Sequence, residues 1–280
     1  MAAVGLAIAA LRWGLVADRI GGLVPPLGAL VVAALASAGA ARTVMAQSDI
    51  AERNRREDIE AAMWKRYDEA AKQLGSDQGF AVRSAGVYAL AGLANDWIRH
   101  HERTGELAKT ERDKINEADT VVSLLCAHLR MRSQEAPGLS DAQIRQEEFV
   151  NEAIISRLQV EFQRGATPHG ARGMWAGRIV IDLRGADLNK SRLAGVDFTG
   201  AVLKDADLRD ADFTDAILDD ADLSRAKVSQ AHFTRSSMNS TVVDGAESDN
   251  ATLWPEDFVR EHDEDGVSRM VHRSREVIGG

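Results

Sequence analysis

The spacing of apolar residues changes character along the chain. Residues 1–47 are apolar and nearly uncharged, and Gly21 to Ala41 runs about 20 residues without a charge, enough to cross a hydrocarbon core. From residue 48 the apolar positions recur at helical spacing. Ile59, Met63, Tyr67, Ala70 and Leu74 form one stripe, and Val87, Leu90, Ala94, Trp97 and Ile98 a second. Val121, Leu124, Leu125 and Leu129 form a third, and Ile144, Phe149, Ile154, Ile155, Leu158 and Phe162 a fourth. These stripes predict helices over 48–75, 79–100, 120–132 and 141–164. Ser48 or Asp49 would cap the first and Gly75 would stop it.

From Ile181 the period becomes five. The chain reads IDLRG, ADLNK, SRLAG, VDFTG, AVLKD, ADLRD, ADFTD and onward to ATLWP near Pro255. The central residue is large in most units, as at Leu183, Leu188, Phe198, Phe213, Phe233 and Leu253, and two places earlier stands a small one, often alanine. A fixed period means one unit stacked on itself. Five residues turn a helix by about 500°, so the stripe would spiral, and a flat strand would alternate faces. Only a backbone that bends every five residues sends both columns inward.

The units ADL at Ala186–Leu188, Ala206–Leu208 and Ala221–Leu223, and ADF at Ala211–Phe213, resemble the pentapeptide-repeat family. The resemblance implies a right-handed quadrilateral β-helix with four pentapeptides per coil. Fifteen units would make just under four coils, roughly 18 Å of rod at about 4.8 Å per layer. Similar Trp-Pro segments close related runs, so Trp254 and Phe258 are expected as a lid. The stretches RYDEAAKQLGSD, VRSAGVYALAGLAND and ADTVVSLLCAHLR resemble membrane-tethered pentapeptide-repeat proteins of actinobacteria. The charged insertion between Arg99 and Asn116 departs from that pattern.

The fold class expected is α+β: an N-terminal transmembrane anchor over 1–47 of one or two helices, and a helical domain over 48–165. A linker over 166–180, a pentapeptide-repeat solenoid with cap over 181–258 and a charged tail over 259–280 complete it. Val267, Met270, Val271 and Ser274 would make a short helix in the tail; the alternative is a disordered tail.

Charge sharpens this picture. The net charge is −9, and sixteen acidic face eight basic residues between 181 and 258. Arg42, Arg53, Arg55, Arg56, Lys65 and Arg66 follow the apolar run, so the positive-inside rule places 42–280 on the cytoplasmic side of a cell membrane. One cysteine, Cys126, excludes an internal disulfide and fits a buried thiol. The His100–His101 pair reads as a solvated helix end, because neighbours on a helix point apart.

No nucleophile elbow, P-loop or zinc motif is present, so neither catalysis, a cofactor nor a metal is expected. The candidate partner-binding surface is acidic: Asp205, Asp207, Asp210, Asp212, Asp215, Asp219, Asp220 and Asp222. A solvated repeat column explains them; an imitation of duplex DNA toward a type II topoisomerase is the functional alternative that the resemblance offers. The expected partners are the bilayer through residues 2–41 and a protein of unidentified kind, with no nucleic acid; a homo-oligomer is compatible with the pattern.

Overall fold

The computed structural model describes residues 24–104, 116–132, 140–164, 173–262 and 268–272. Residues 1–62 and 63–280 form two compact units. The elements are α1 (Val24–Leu74), α2 (Phe80–Thr104), α3 (Glu117–Arg132), α4 (Asp141–Glu161), β1 (Phe258–His262) and β2 (Ser268–His272).

Helix α1 corrects one expectation. It does not start at Ser48 but runs from Val24 without a break. The alanine-rich stretch before Ser48 propagates a helix well, so a capping residue inside it caps nothing. The two prolines after Val24 fall in the first turn, where a missing N–H leaves no bond unmade. Gly75 ends the helix, its N–H bonded to the Ala71 carbonyl at 3.0 Å. Leu35, Val44, Met45 and Ile50 are exposed along it. Among the described residues no helix is long and apolar enough to cross a membrane. Residues 1–23, half of the expected anchor, lie outside the described residues.

In the second unit the helices bury the second and third stripes almost as spaced. Val87, Leu90, Ala94, Trp97 and Ile98 are at most 2% exposed, and Val121, Leu125 and Leu129 are fully buried. Helix α4 starts at a capping box, Ser140 with Gln143. Its buried face is rotated from the expected one. Val150, Asn151, Ala153, Ile154 and Leu158 point inward, while Ile144 and Phe149 are exposed. Phe149 instead meets Phe80, ring centroids 5.0 Å apart.

Residues 173–180, expected as linker, are packed. Trp175 is fully buried, and its indole Nε1 donates to Asn95 Oδ1 at 2.8 Å. Asn95 Nδ2 in turn donates to Glu161 Oε1 at 2.9 Å, and Arg157 pairs with the same carboxylate. The rest of the expected linker lies outside the described residues.

From 181 the backbone bends every five residues. Each bend is a hydrogen-bonded turn, as in Ala186 N–H to Leu183 O at 3.0 Å. The residue two after the axial one has a positive φ at every turn from Gly185 to Gly245. That is the signature of a type II turn. Parallel bridges join residues twenty apart: Asp182 to Val202 to Asp222 to Val242, and likewise on the other sides. Twenty residues therefore close one four-sided coil. The axial side chains are fully or almost fully buried from Leu183 to Val243, each stabilising the stack by about 1.5–3 kcal/mol.

Both ends of the stack are covered. At the N-terminal end Phe162 packs edge-on against Phe198 at 5.1 Å, and Gln163 bridges to Val196. Asp197 N–H donates to the Phe162 carbonyl at 2.7 Å, in the place a preceding coil would take. At the other end the period slips. His232 bridges to Leu253, twenty-one residues on instead of twenty. Leu253 therefore faces outward, 46% exposed, and Trp254 takes the axial place against Phe233. Thr252, not Ala251, fills the small column and donates its hydroxyl to the Val228 carbonyl at 2.9 Å. The tail is neither helical nor loose over its described part. β1 and β2 pair antiparallel, and the Met270 N–H bonds to the Thr241 carbonyl at 2.8 Å, covering one edge of the last coil.

Candidate functional site

The eight aspartates divide by column. Asp207, Asp212 and Asp222 stand just before axial residues, and each accepts a hydrogen bond from the backbone N–H two places on, at 3.2, 2.9 and 2.9 Å. Asp182, Asp187 and Asp197 do the same. This carboxylate column satisfies the turns, as local side-chain to backbone bonds do. Asp205, Asp210, Asp215 and Asp220 are the left-handed corner residues, with φ of 58–59°.

Two of those corners carry an arginine one coil on. Arg225 makes a two-pronged contact to Asp205 at 2.6 and 2.7 Å, and Arg235 does so to Asp215 at 2.7 and 2.6 Å. These hydrogen bonds hold Asp205 and Asp215 below the usual carboxylate range. Partial burial pushes Asp207 up, but hydrogen bonds from Arg209 outweigh it and bring it low. Asp219 accepts from the Ser237 hydroxyl at 2.6 Å and the Asn239 N–H at 2.8 Å. Asp210 and Asp220 make no ion pair among the described residues. The expected acidic surface is thus largely occupied with the solenoid's own turns and coil-to-coil pairs.

A second feature was not legible as a site. A cavity of 760 Å³ opens between α4 and the first two coils. Helix α4 supplies Glu148, Asn151, Glu152 and Ile155, spaced to share one face. The solenoid supplies Lys190, Ser191 and Arg192, with Asp207 and Arg209 one coil on. Asn151 is only 3% exposed, and neither its Nδ2 nor its Oδ1 has a partner. Ser191, 5% exposed, leaves its hydroxyl unpaired as well. The signals in the sequence were a polar letter beside Val150 in an apolar face and a serine in the alanine column.

The remaining candidates sit in the helical layer. His100 and His101 are buried, not solvated, and both pack against Trp97. His101 Nε2 lies 3.1 Å from Glu117. Cys126 is buried, and desolvation pushes its thiol up to about 12, which leaves it unreactive. A smaller cavity of 520 Å³ holds Arg83, His128 and Glu147. Arg83 grips Glu147 at 2.5 and 2.9 Å, and His128 lies 3.6 Å from the same carboxylate. Among the described residues no cluster of His, Cys, Asp or Glu could hold a metal ion.

Comparison with known proteins agrees with the five-residue architecture. Residues 181–215 and 216–253 match the family model for pentapeptide repeats, in eight copies. No curated protein matches the chain. Among solved structures, the chain is similar to a pentapeptide repeat protein (Rfr23) from the cyanobacterium Cyanothece 51142. That match has 27% identity, 31% of this chain, 71% of the other and a TM-score of 0.22. It is also similar to alr5209, a pentapeptide repeat protein from Nostoc Pcc 7120, with 28% identity, 28% of this chain, 77% of the other and a TM-score of 0.17. A third is a pentapeptide repeat protein from the Arabidopsis thaliana thylakoid lumen, with 27% identity, 23% of this chain, 56% of the other and a TM-score of 0.12.

Proposed function

We propose, for a chain whose residues 181–253 are pentapeptide repeats, that it is a non-enzymatic interaction protein. Its N-terminal apolar segment tethers it to a bilayer, and its helical layer and solenoid face the cytoplasm. The observation that carries the reading is the double capping of the stack. Phe162 and Gln163 cover one side of the first coil and the β1–β2 hairpin one edge of the last, so the same chain supplies a cap at each end of the stack, as a finite solenoid requires. The tether rests on the uncharged stretch before Arg42 and on the arginines that follow it. The exposed Val44, Met45 and Ile50 of α1 extend the apolar character beyond it.

Fractionation tests the tether. The full chain should pellet with membranes, resist alkaline carbonate and be released by detergent. Intact chain in the soluble fraction without detergent would remove the tether from the proposal. Cross-linking in intact membranes tests the interaction role: one partner protein should be captured reproducibly by the full chain.

A second reading, an acidic decoy for a DNA-binding protein such as a type II topoisomerase, draws on the corner aspartates Asp210 and Asp220. The arginines fixed on Asp205 and Asp215 weigh against it, because the counterions of duplex phosphates are mobile and are released when a protein binds. Full chain in detergent should then inhibit supercoiling in a salt-sensitive way, and the absence of inhibition at high concentration dismisses the decoy.

A further inference from the structure

We infer that the outer edge of β1 receives an extended strand of a partner protein, and that this strand carries an acidic side chain opposite Arg260. The inference rests on the interaction-protein reading and names where the partner is held.

The direction of the β1 backbone follows from β2. Met270 donates its N–H to the Thr241 carbonyl at 2.8 Å, and its carbonyl accepts from the Ser240 N–H at 3.2 Å. Both of its backbone groups therefore point at the last coil. In an antiparallel ladder the N–H and C=O of one residue point to the same side, and hydrogen-bonded pairs alternate with non-bonded ones. Arg260 stands directly opposite Met270. That pair is thus a non-bonded one, and the N–H and C=O of Arg260 point away from β2. The ladder bonds fall to Val259 and Glu261, opposite Val271 and Arg269. Among the described residues no strand lies beyond β1, and Arg260 is exposed. β2 is itself a strand added to the wall of the solenoid, and β1 presents the next place in the same direction.

The edge also selects its occupant. A second copy that paired along the whole of β1 would centre a two-fold axis on Arg260. The two guanidinium groups would then face each other directly, and like charges in that position are destabilising. Arg260 makes no ion pair among the described residues; its guanidinium lies over the Trp254 ring, 5.9 Å from the centroid. A carboxylate directly across from it on an added strand supplies the opposite charge that cross-strand pairs favour. Main-chain bonds to Arg260 would give such a strand its affinity, and the side chain opposite would give it specificity. Glu261 points to the other face of the hairpin and takes no part in this pair.

The test is selection of a displayed random heptapeptide library on the purified full chain in detergent, followed by calorimetric titration of the enriched peptides. Asp or Glu should be enriched at one position. Arg260→Thr keeps the outward N–H and removes the charge. Arg260→Pro removes both and leaves the β1–β2 ladder whole, because that N–H is not part of it. Both variants should melt close to the parent chain. Arg260→Thr should weaken the enriched peptides roughly fivefold and Arg260→Pro roughly fiftyfold. Arg260→Glu should shift the enriched sequences from acidic toward basic residues, which a merely unfolded hairpin would not do. Glu261→Ala should leave binding as it is. Enriched peptides that bind Arg260→Pro and Arg260→Glu as well as the parent chain would overturn the edge and leave the interaction reading standing elsewhere on the surface. No enrichment over the Arg260→Pro chain would overturn it too. A parent chain that sediments as a dimer, and as a monomer once it carries Arg260→Pro, would give the edge to a second copy and overturn the inference as well.

Discussion

Trp254 lies flat on Phe233, ring centroids 5.0 Å apart and planes within 10°. Phe233 in turn stacks on Phe213 at 5.5 Å, so three rings run along one side of the axis and the tryptophan is the outermost. Arg260 of β1 sits over its free face, 5.9 Å from the centroid. Trp254→Ala should therefore destabilise the second unit by about 3 kcal/mol. Trp254→Phe should cost much less, because the stack persists. Denaturant unfolding followed by circular dichroism reads both, and equal losses would show that Trp254 is not held by stacking.

Gly86 marks the close approach of α2 to the end of α1. A Cβ there would stand 2.7 Å from the Leu74 backbone nitrogen and 2.8 Å from the Ala70 carbonyl oxygen. Backbone atoms cannot swing aside. Gly86→Ala should cost about 1–3 kcal/mol in spite of alanine's better helix propensity. Gly92, with open space around it, is the control: Gly92→Ala should stabilise the same helix. Thermal unfolding of the two variants should move in opposite directions.

The corners make a separate prediction. Asp220 is held at a φ of 59°, a region that aspartate tolerates and branched residues do not. Asp220→Val should destabilise by about 1–2 kcal/mol, while Asp220→Gly should be neutral or better. Charge is lost in both, so a shared effect would assign the cost to charge instead of backbone.

The pH dependence of the helical layer centres on His128. Burial lowers its affinity for a proton, the nearby Arg83 adds to this, and Glu147 opposes both. The folded chain then binds fewer protons there than the unfolded chain, so stability rises with pH up to the unfolded value near 6.5 and is lost as pH falls below it. Urea midpoints should fall between about pH 7 and pH 5, and His128→Gln should flatten that slope. An unchanged slope would place the acid sensitivity elsewhere.

Much of the fold was legible because the period of five admits one backbone solution over most of 181–253. The end of the run was not. Ala251-Thr252-Leu253 and Thr252-Leu253-Trp254 both read as small, any, large, and only the His232 bridge distinguishes them. Larger rings in the axis decide it: Phe233 offers a flat face that tryptophan covers better than leucine. The cap signal at Ser48 failed for a different reason, since helix already formed on its N-terminal side has no N–H groups left to satisfy. The acidic surface was legible as a column, but its neutralisation was not, because Arg225 and Arg235 lie twenty residues from their partners. Asn151 and Ser191 show the limit most plainly: a sequence displays a polar letter in an apolar place, while only packing shows that nothing answers it.

The twenty-residue coil has a consequence at the level of heredity. Between the first and last coils each side chain has its counterpart twenty residues before and after it, and the lids sit on the terminal layers. An in-frame duplication of one coil's coding length between Val202 and Ala221 would lengthen the rod by one layer and carry the hairpin outward without rotating it. The outer edge of β1 would travel with the hairpin unchanged, so selection can adjust reach while leaving recognition alone.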